Sequence, residues 1–236
     1  MTLIRSLVFQ LFFWVWTLFL AIAFLPLMIL PRGCMVRASL FWSLSLFAAL
    51  RLICGLKHRI EGRGNIPDGP ALFAVKHQSA WDTLMMPVVL PGAAVVLKKE
   101  LTWLPFYGWY IRKYGTIGID RGRGVSALRN MRRAARDCAE AGRSIIVFPE
   151  GTRVAPGETG AFHPGIAALY GDLNLPVVPV ALNSGRFWRR RGFLRHPGTI
   201  TLKFLPVIEP GLERRDFMKR LERDISSAQG ALDPPG

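Results

Sequence analysis

The sequence predicts an α/β fold: a mostly parallel or mixed sheet flanked by helices, carried behind an N-terminal hydrophobic helical membrane anchor. Three observations point there. From Lys57 onward, short apolar runs alternate with helix-period patterns, as in strands joined by helices. Residues 6–31 contain no charged side chain. Polar groups able to do chemistry recur directly after the apolar runs, where open α/β sheets gather their sites. The division expected is residues 1–56 as anchoring helices and residues 57–236 as one folded domain.

The 236 residues are half hydrophobic, yet 31 Lys and Arg face only 16 Asp and Glu, a formal charge of +15. Such apolar content excludes a disordered chain. Cys34, Cys54 and Cys138 form no CxxC pair, so neither a disulfide framework nor a zinc site is expected. They read as small buried hydrophobes. A basic, aromatic chain also fits a membrane-tethered nucleic-acid binder, but no RNP, KH or zinc signature is present, and no nucleic-acid partner is expected.

The uncharged run Leu7–Leu30 is 24 residues, enough to cross a hydrocarbon core that needs about 20. It is too long for a signal peptide, and no small-residue cleavage site follows. The next uncharged stretch, 38–50, is too short to span alone. If both crossed, Arg32 and Arg37 would lie outside, against the positive-inside rule. A single span and a shallow hairpin held in one leaflet both remain open. In either, charge bias puts residues 57–236 on the cytoplasmic face.

Strands are expected at 71–75, 94–97, 116–119, 144–148, 177–182 and 200–204, each an apolar run bounded by turn residues. Asp82–Leu90 reads as a buried helix despite Pro87, and Val125–Ala141 as an amphipathic one stopped by Gly142. Phe217–Ser227 makes a last helix before a loose Asp233–Gly236 tail.

Three strand ends then deliver His77 to Asp82, Asp120-Arg121, and Glu150 to Arg153. A general base near neutral pH is most often His, and it works best when a carboxylate orients its ring. Five residues of straight helix turn by about 500°, so His77 and Asp82 meet only if His77 precedes the helix. Ser79-Ala80-Trp81-Asp82 provides that start as a capping box, and Asp82 as a simple cap is the competing reading. Arg121 and Arg153 could hold a phosphate, or be exposed arginines. Glu150 could be a plain ion-pair partner of Arg153 or a strut beneath it.

Taken together these segments resemble the 1-acyl-sn-glycerol-3-phosphate acyltransferase family of glycerolipid acyltransferases. The likeness rests on His77-Gln-Ser-Ala-Trp-Asp82, Gly118-Ile-Asp-Arg121, Phe148-Pro-Glu-Gly-Thr-Arg153 and Val178-Pro179-Val180, in that order, with Lys98-Lys99-Glu100-Leu101 between the first two. It covers about residues 57–205. It implies transfer of a fatty acyl group from acyl-CoA or acyl-carrier protein to the free hydroxyl of 1-acyl-sn-glycerol 3-phosphate, giving phosphatidic acid at the membrane. His77 would be the base and Asp82 its partner, with direct attack on the thioester. Arg121, Glu150, Gly151, Thr152 and Arg153 would hold the acceptor. No metal or cofactor is implied beyond the acyl donor, and the family's two-helix membrane motif favours the shallow hairpin. Another lysolipid, such as lyso-ornithine lipid, is the alternative acceptor.

Departures from the family pattern bear on the headgroup. Lys76 stands where Asn is common, Val154 where Ser is common and His163 where Lys is common. In extended chain Lys76 should point away from His77. Residues 84–97 read as core packing in preference to an acyl groove. The stretch Arg186–Arg195 reads as a lipid- or carrier-protein-binding surface or as a solvated loop. His58, His163 and His196 read as structural or exposed.

Overall fold

The computed structural model describes residues 1–120, 122, 124–158 and 160–232. Arg121 and the Asp233–Gly236 tail therefore lie outside the described residues. Two long helices lead, α1 (Thr2–Ala23) and α2 (Arg32–Cys54), joined by a tight turn through Pro26. There follow β1 (Leu56–Glu61), β2 (Leu72–Val75), α3 (Ala80–Val89), β3 (Ala94–Lys98), α4 (Tyr107–Tyr114), β4 (Ile117–Ile119), α5 (Gly124–Glu140) and β5 (Ile145–Val147). The chain ends with α6 (Gly165–Leu173), β6 (Val177–Leu182), α7 (Ser184–Phe187), β7 (Gly198–Phe204) and α8 (Arg214–Leu232).

The seven strands lie in the order β1-β7-β6-β2-β5-β3-β4. Every neighbouring pair is parallel except β6 with β7, so β1 and β7 run against the other five. This is the expected mostly parallel, mixed sheet. Its central strands are buried on both faces, which is why β2, β5 and β6 read as continuous apolar runs. Phe73 and Val75 point to one core with Trp81, Met85, Leu46, Leu50 and Phe9, while Leu72 and Ala74 point to the other with Met131, Leu169, Phe217 and Leu221. Helices α1, α2 and α3 thus cover one face, and α5, α6 and α8 the other.

The first two helices share the core of the sheet and are fastened to it at both ends. Near the start of α1, Ser6 Oγ accepts the Arg195 N–H at 2.9 Å, and Gln10 accepts from the Arg195 guanidinium at 3.3 Å. At its far end the Tyr110 hydroxyl donates to the carbonyl of Ala21. Arg32, just beyond the turn, donates to the carbonyls of Tyr114 and Gly92 at 2.6 Å each. The helices are cross-tied by Trp16 to Ser45 at 2.7 Å and Trp42 to Thr17 at 3.1 Å. By length and composition both are apolar enough to cross a membrane. One face of α1 stays uncovered: Leu7, Leu11, Val15 and Phe19, four residues apart, are exposed.

Three details of the sequence reading are refined. Cys54 is buried, but Cys34 and Cys138 are only partly so. Pro87 sits inside α3 without ending it. Residues 84–97 divide between two surroundings: Leu84, Met85 and Met86 are in the core, whereas Pro87, Val95 and Leu97 line an open cavity.

Candidate active site

Three adjacent parallel strands, β6, β2 and β5, bring their carboxyl ends together at the middle of the sheet. Directly after β2 the chain stays extended through Ser79, which caps α3: Ser79 Oγ accepts the Trp81 N–H at 3.0 Å, and Asp82 closes the capping box. The carboxylate in the first turn therefore reaches back over the cap. Asp82 Oδ2 accepts the N–H groups of Gln78 and Ser79 at 2.7 and 2.8 Å and lies 2.9 Å from His77 Nδ1. Asp82 is 0% exposed. Capping and ring orientation, posed as rivals from the sequence, are performed by one carboxylate.

From the end of β6, the Ser184 hydroxyl donates to Asp82 Oδ1. The His77 ring lies against Phe148 at the end of β5, with centroids 4.1 Å apart. With Nδ1 committed to a carboxylate, the tautomer that donates to Asp82 leaves Nε2 as the bare acceptor. That is the state an imidazole needs to take a proton from a hydroxyl.

The loop after β5 grips the same histidine by its backbone. Glu150 Oε2 accepts the His77 N–H at 3.0 Å, and the Val154 N–H donates to the His77 carbonyl at 2.8 Å. Glu150 Oε1 takes the Lys76 ammonium in a buried ion pair. Burial pushes the Glu150 carboxyl above the ordinary range, while the Lys76 charge and the His77 N–H pull it down. The turn is closed by the Gly151 N–H on the Phe148 carbonyl at 2.9 Å, with Gly151 at φ +63, a conformation that favours glycine.

His77, Gly151, Thr152 and Arg153 line one cavity of about 1170 Å³. It extends between the α1–α2 hairpin and the ends of β3 and β4, past Trp14, Leu18, Trp42, Leu97 and Tyr110, a mostly apolar wall. Tyr107 and Arg153 are neighbours on that wall. Such a space, with one base on its floor and a cation at its edge, suits a long apolar chain bearing a polar, anionic head.

Comparison with known proteins agrees with this geometry. A model of the acyltransferase family matches residues 57–183. The 1-acyl-sn-glycerol-3-phosphate acyltransferase of Pseudomonas aeruginosa is 32% identical over 188 residues, covering 78% of this chain and 73% of that one. The chain belongs to the acyltransferase family. The acyltransferase is also 34% identical over 158 residues to the protein of the same name from Limnanthes douglasii, covering 66% of its own length and 56% of that relative. Its fold matches the crystal structure of the 1-acyl-sn-glycerophosphate (LPA) acyltransferase PlsC from Thermotoga maritima, with a TM-score of 0.83 at 24% identity over 100% of this chain and 99% of that one.

Of the residues singled out from the acyltransferase sequence, the fold brings together His77, Asp82, Glu150, Gly151, Thr152 and Arg153. The Glu150 carboxylate faces Lys76 and the His77 backbone, not the open cavity, so it touches the site through His77. Lys76, 4% exposed, reaches Glu150 and borders a separate cavity beside α8, away from the His77 ring as the strand alternation implied. His163, read as structural or exposed, is exposed at the edge of the catalytic cavity, and its backbone N–H donates to the Pro149 carbonyl. Ser184 was missed. Its only sequence signal is its place two residues beyond the sixth strand.

Proposed function

We propose that this acyltransferase moves a fatty acyl group from an acyl thioester, acyl-CoA or acyl-carrier protein, to the free hydroxyl of 1-acyl-sn-glycerol 3-phosphate, giving phosphatidic acid. The observation that carries the reading is the pairing of a His77–Asp82 base with an apolar cavity edged by Arg153, in a chain whose relatives bear that activity in their names.

In this mechanism the acceptor hydroxyl gives its proton to His77 Nε2 as its oxygen attacks the thioester carbonyl. Asp82 stabilises the imidazolium. Collapse of the tetrahedral adduct breaks the C–S bond, and His77 returns the proton to the leaving thiolate. No acyl-enzyme forms. Arg153 and, by the family resemblance, Arg121 hold the acceptor's phosphate, with Gly151 and Thr152 beside them. Glu150 acts at one remove, fixing the histidine's backbone.

The site faces a bilayer in the same reading. The fastening of both ends of α1 to the folded domain supports a hairpin that stays on one side of the membrane with that domain. The exposed row from Leu7 to Phe19 instead lies in one leaflet, each half-buried side chain worth about 1 kcal/mol. Charge bias puts that leaflet on the cytoplasmic side.

The test is a purified protein given labelled acyl-CoA or acyl-carrier protein and a panel of lysolipids. Phosphatidic acid as the main product supports the reading. Preference for a phosphate-free acceptor, such as lyso-ornithine lipid, overturns it.

A further inference from the structure

Residues 173–208 contain no Asp or Glu, yet they carry Arg186, Arg189, Arg190, Arg191, Arg195 and Lys203. The loop between α7 and β7 is pinned at both ends. Trp188 is buried, with its N–H on the Ser184 carbonyl at 2.9 Å. The Arg195 guanidinium stacks over the Trp188 ring at 4.0 Å and donates to the carbonyls of Gly192 and Phe193 at 2.9 and 2.6 Å.

What hangs between the pins is the Arg190-Arg191 pair. Both line the catalytic cavity together with His77, Thr152 and Arg153. Arg190 Nη1 donates to the backbone carbonyl of Arg153 at 2.9 Å, which ties this loop to the loop after β5. Arg191 sits at φ +58, a left-handed conformation an L side chain adopts at a cost and glycine adopts freely. A glycine follows immediately, at 192, so the strained position holds a cation that the turn itself does not need.

Among the described residues no carboxylate pairs with Arg153, Arg190 or Arg191. The nearby acid, Glu150, is taken by Lys76 and the His77 N–H. Three guanidinium groups at one rim without a counter-charge repel one another, and a phosphate ester relieves that repulsion while matching the planar donor fork.

We propose that Arg190 and Arg191 are phosphate-binding residues of this active site, completing with Arg153 a cationic rim that seats a phosphate ester at the cavity mouth. This rests on the acyl-transfer reading above. The ester is carried by the lysolipid or by the acyl donor, and the kinetics tell which.

The experiment compares the full-length protein with the Arg190→Gln, Arg191→Gln double variant, whose two sites are exposed, and with Arg191→Gly. KM and kcat are measured separately against 1-acyl-sn-glycerol 3-phosphate, acyl-CoA and acyl-carrier protein. Calorimetric binding of the same lysolipid and of CoA runs alongside. The expected result is a rise of about 10-fold or more in KM and Kd for one phosphate-bearing substrate, with kcat within about threefold. Arg191→Gly should melt no lower than wild type while sharing part of the KM rise. A double variant with wild-type melting and every KM and Kd unchanged overturns the inference, as does a loss confined to kcat. If wild type acylates none of these acceptors but the variant still loses about 10-fold in binding, the acyl-transfer reading fails and this one stands.

Discussion

The Glu150 carboxylate accepts the backbone N–H of His77 at 3.0 Å, so the acid after β5 holds the histidine after its neighbour β2 by the main chain. The bond is strongest when Glu150 is ionised, and Lys76 favours that form within the buried pair against the pull of desolvation.

Lys76→Met should therefore act through Glu150. Burial already raises the Glu150 carboxyl, so folding binds a proton there, and Glu150 subtracts stability as pH rises through the raised value. Without the Lys76 cation the folded value climbs further. The melting gap to wild type is then widest at neutral pH, at about 3–5 kcal/mol, and narrows as the pH falls towards about 5. Melting curves across that range check the sign. A gap that widens in acid contradicts it.

Asp82→Asn retains shape but replaces an acceptor of several donors with a group that carries two N–H donors of its own. The cap loosens by about 1 kcal/mol, and the His77 ring loses the partner that fixes its tautomer. Turnover should fall by about 100-fold or more, with a far smaller change in KM for either substrate. Steady-state kinetics on the folded variant decide it. A change in KM alone would contradict the orienting role.

Removing residues 1–55 should give an insoluble chain, because Phe9, Leu46, Phe47 and Leu50 share the core of the sheet. Leu11→Glu with Val15→Glu is the cleaner probe, since both side chains are exposed. That variant should melt as wild type yet lose most vesicle binding, by about 10-fold or more in a flotation assay. Undiminished flotation contradicts the proposed in-leaflet hairpin.

What the sequence made legible follows from burial. Strands β2, β5 and β6 are enclosed on both faces, so they stand out as apolar runs. Strand β1 escaped notice because it lies at the sheet edge and carries Lys57, His58 and Arg59, which break the pattern. Helix α6 was missed because five of its nine residues, in one block, are buried, which erases the 3.6-residue contrast. In the site, His77 with Asp82 was readable because a capping box is local. The Ser184–Asp82 and Lys76–Glu150 bonds link residues 102 and 74 positions apart, and nothing in the local sequence marks such partners.

Turnover of His77→Ala is the most direct measure of the central claim, that an Asp82-oriented imidazole takes the acceptor's proton. With labelled acyl-CoA and 1-acyl-sn-glycerol 3-phosphate, the expected result is a loss of at least about 100-fold in kcat by a protein that still folds and still binds the lysolipid. Turnover near that of wild type would contradict it.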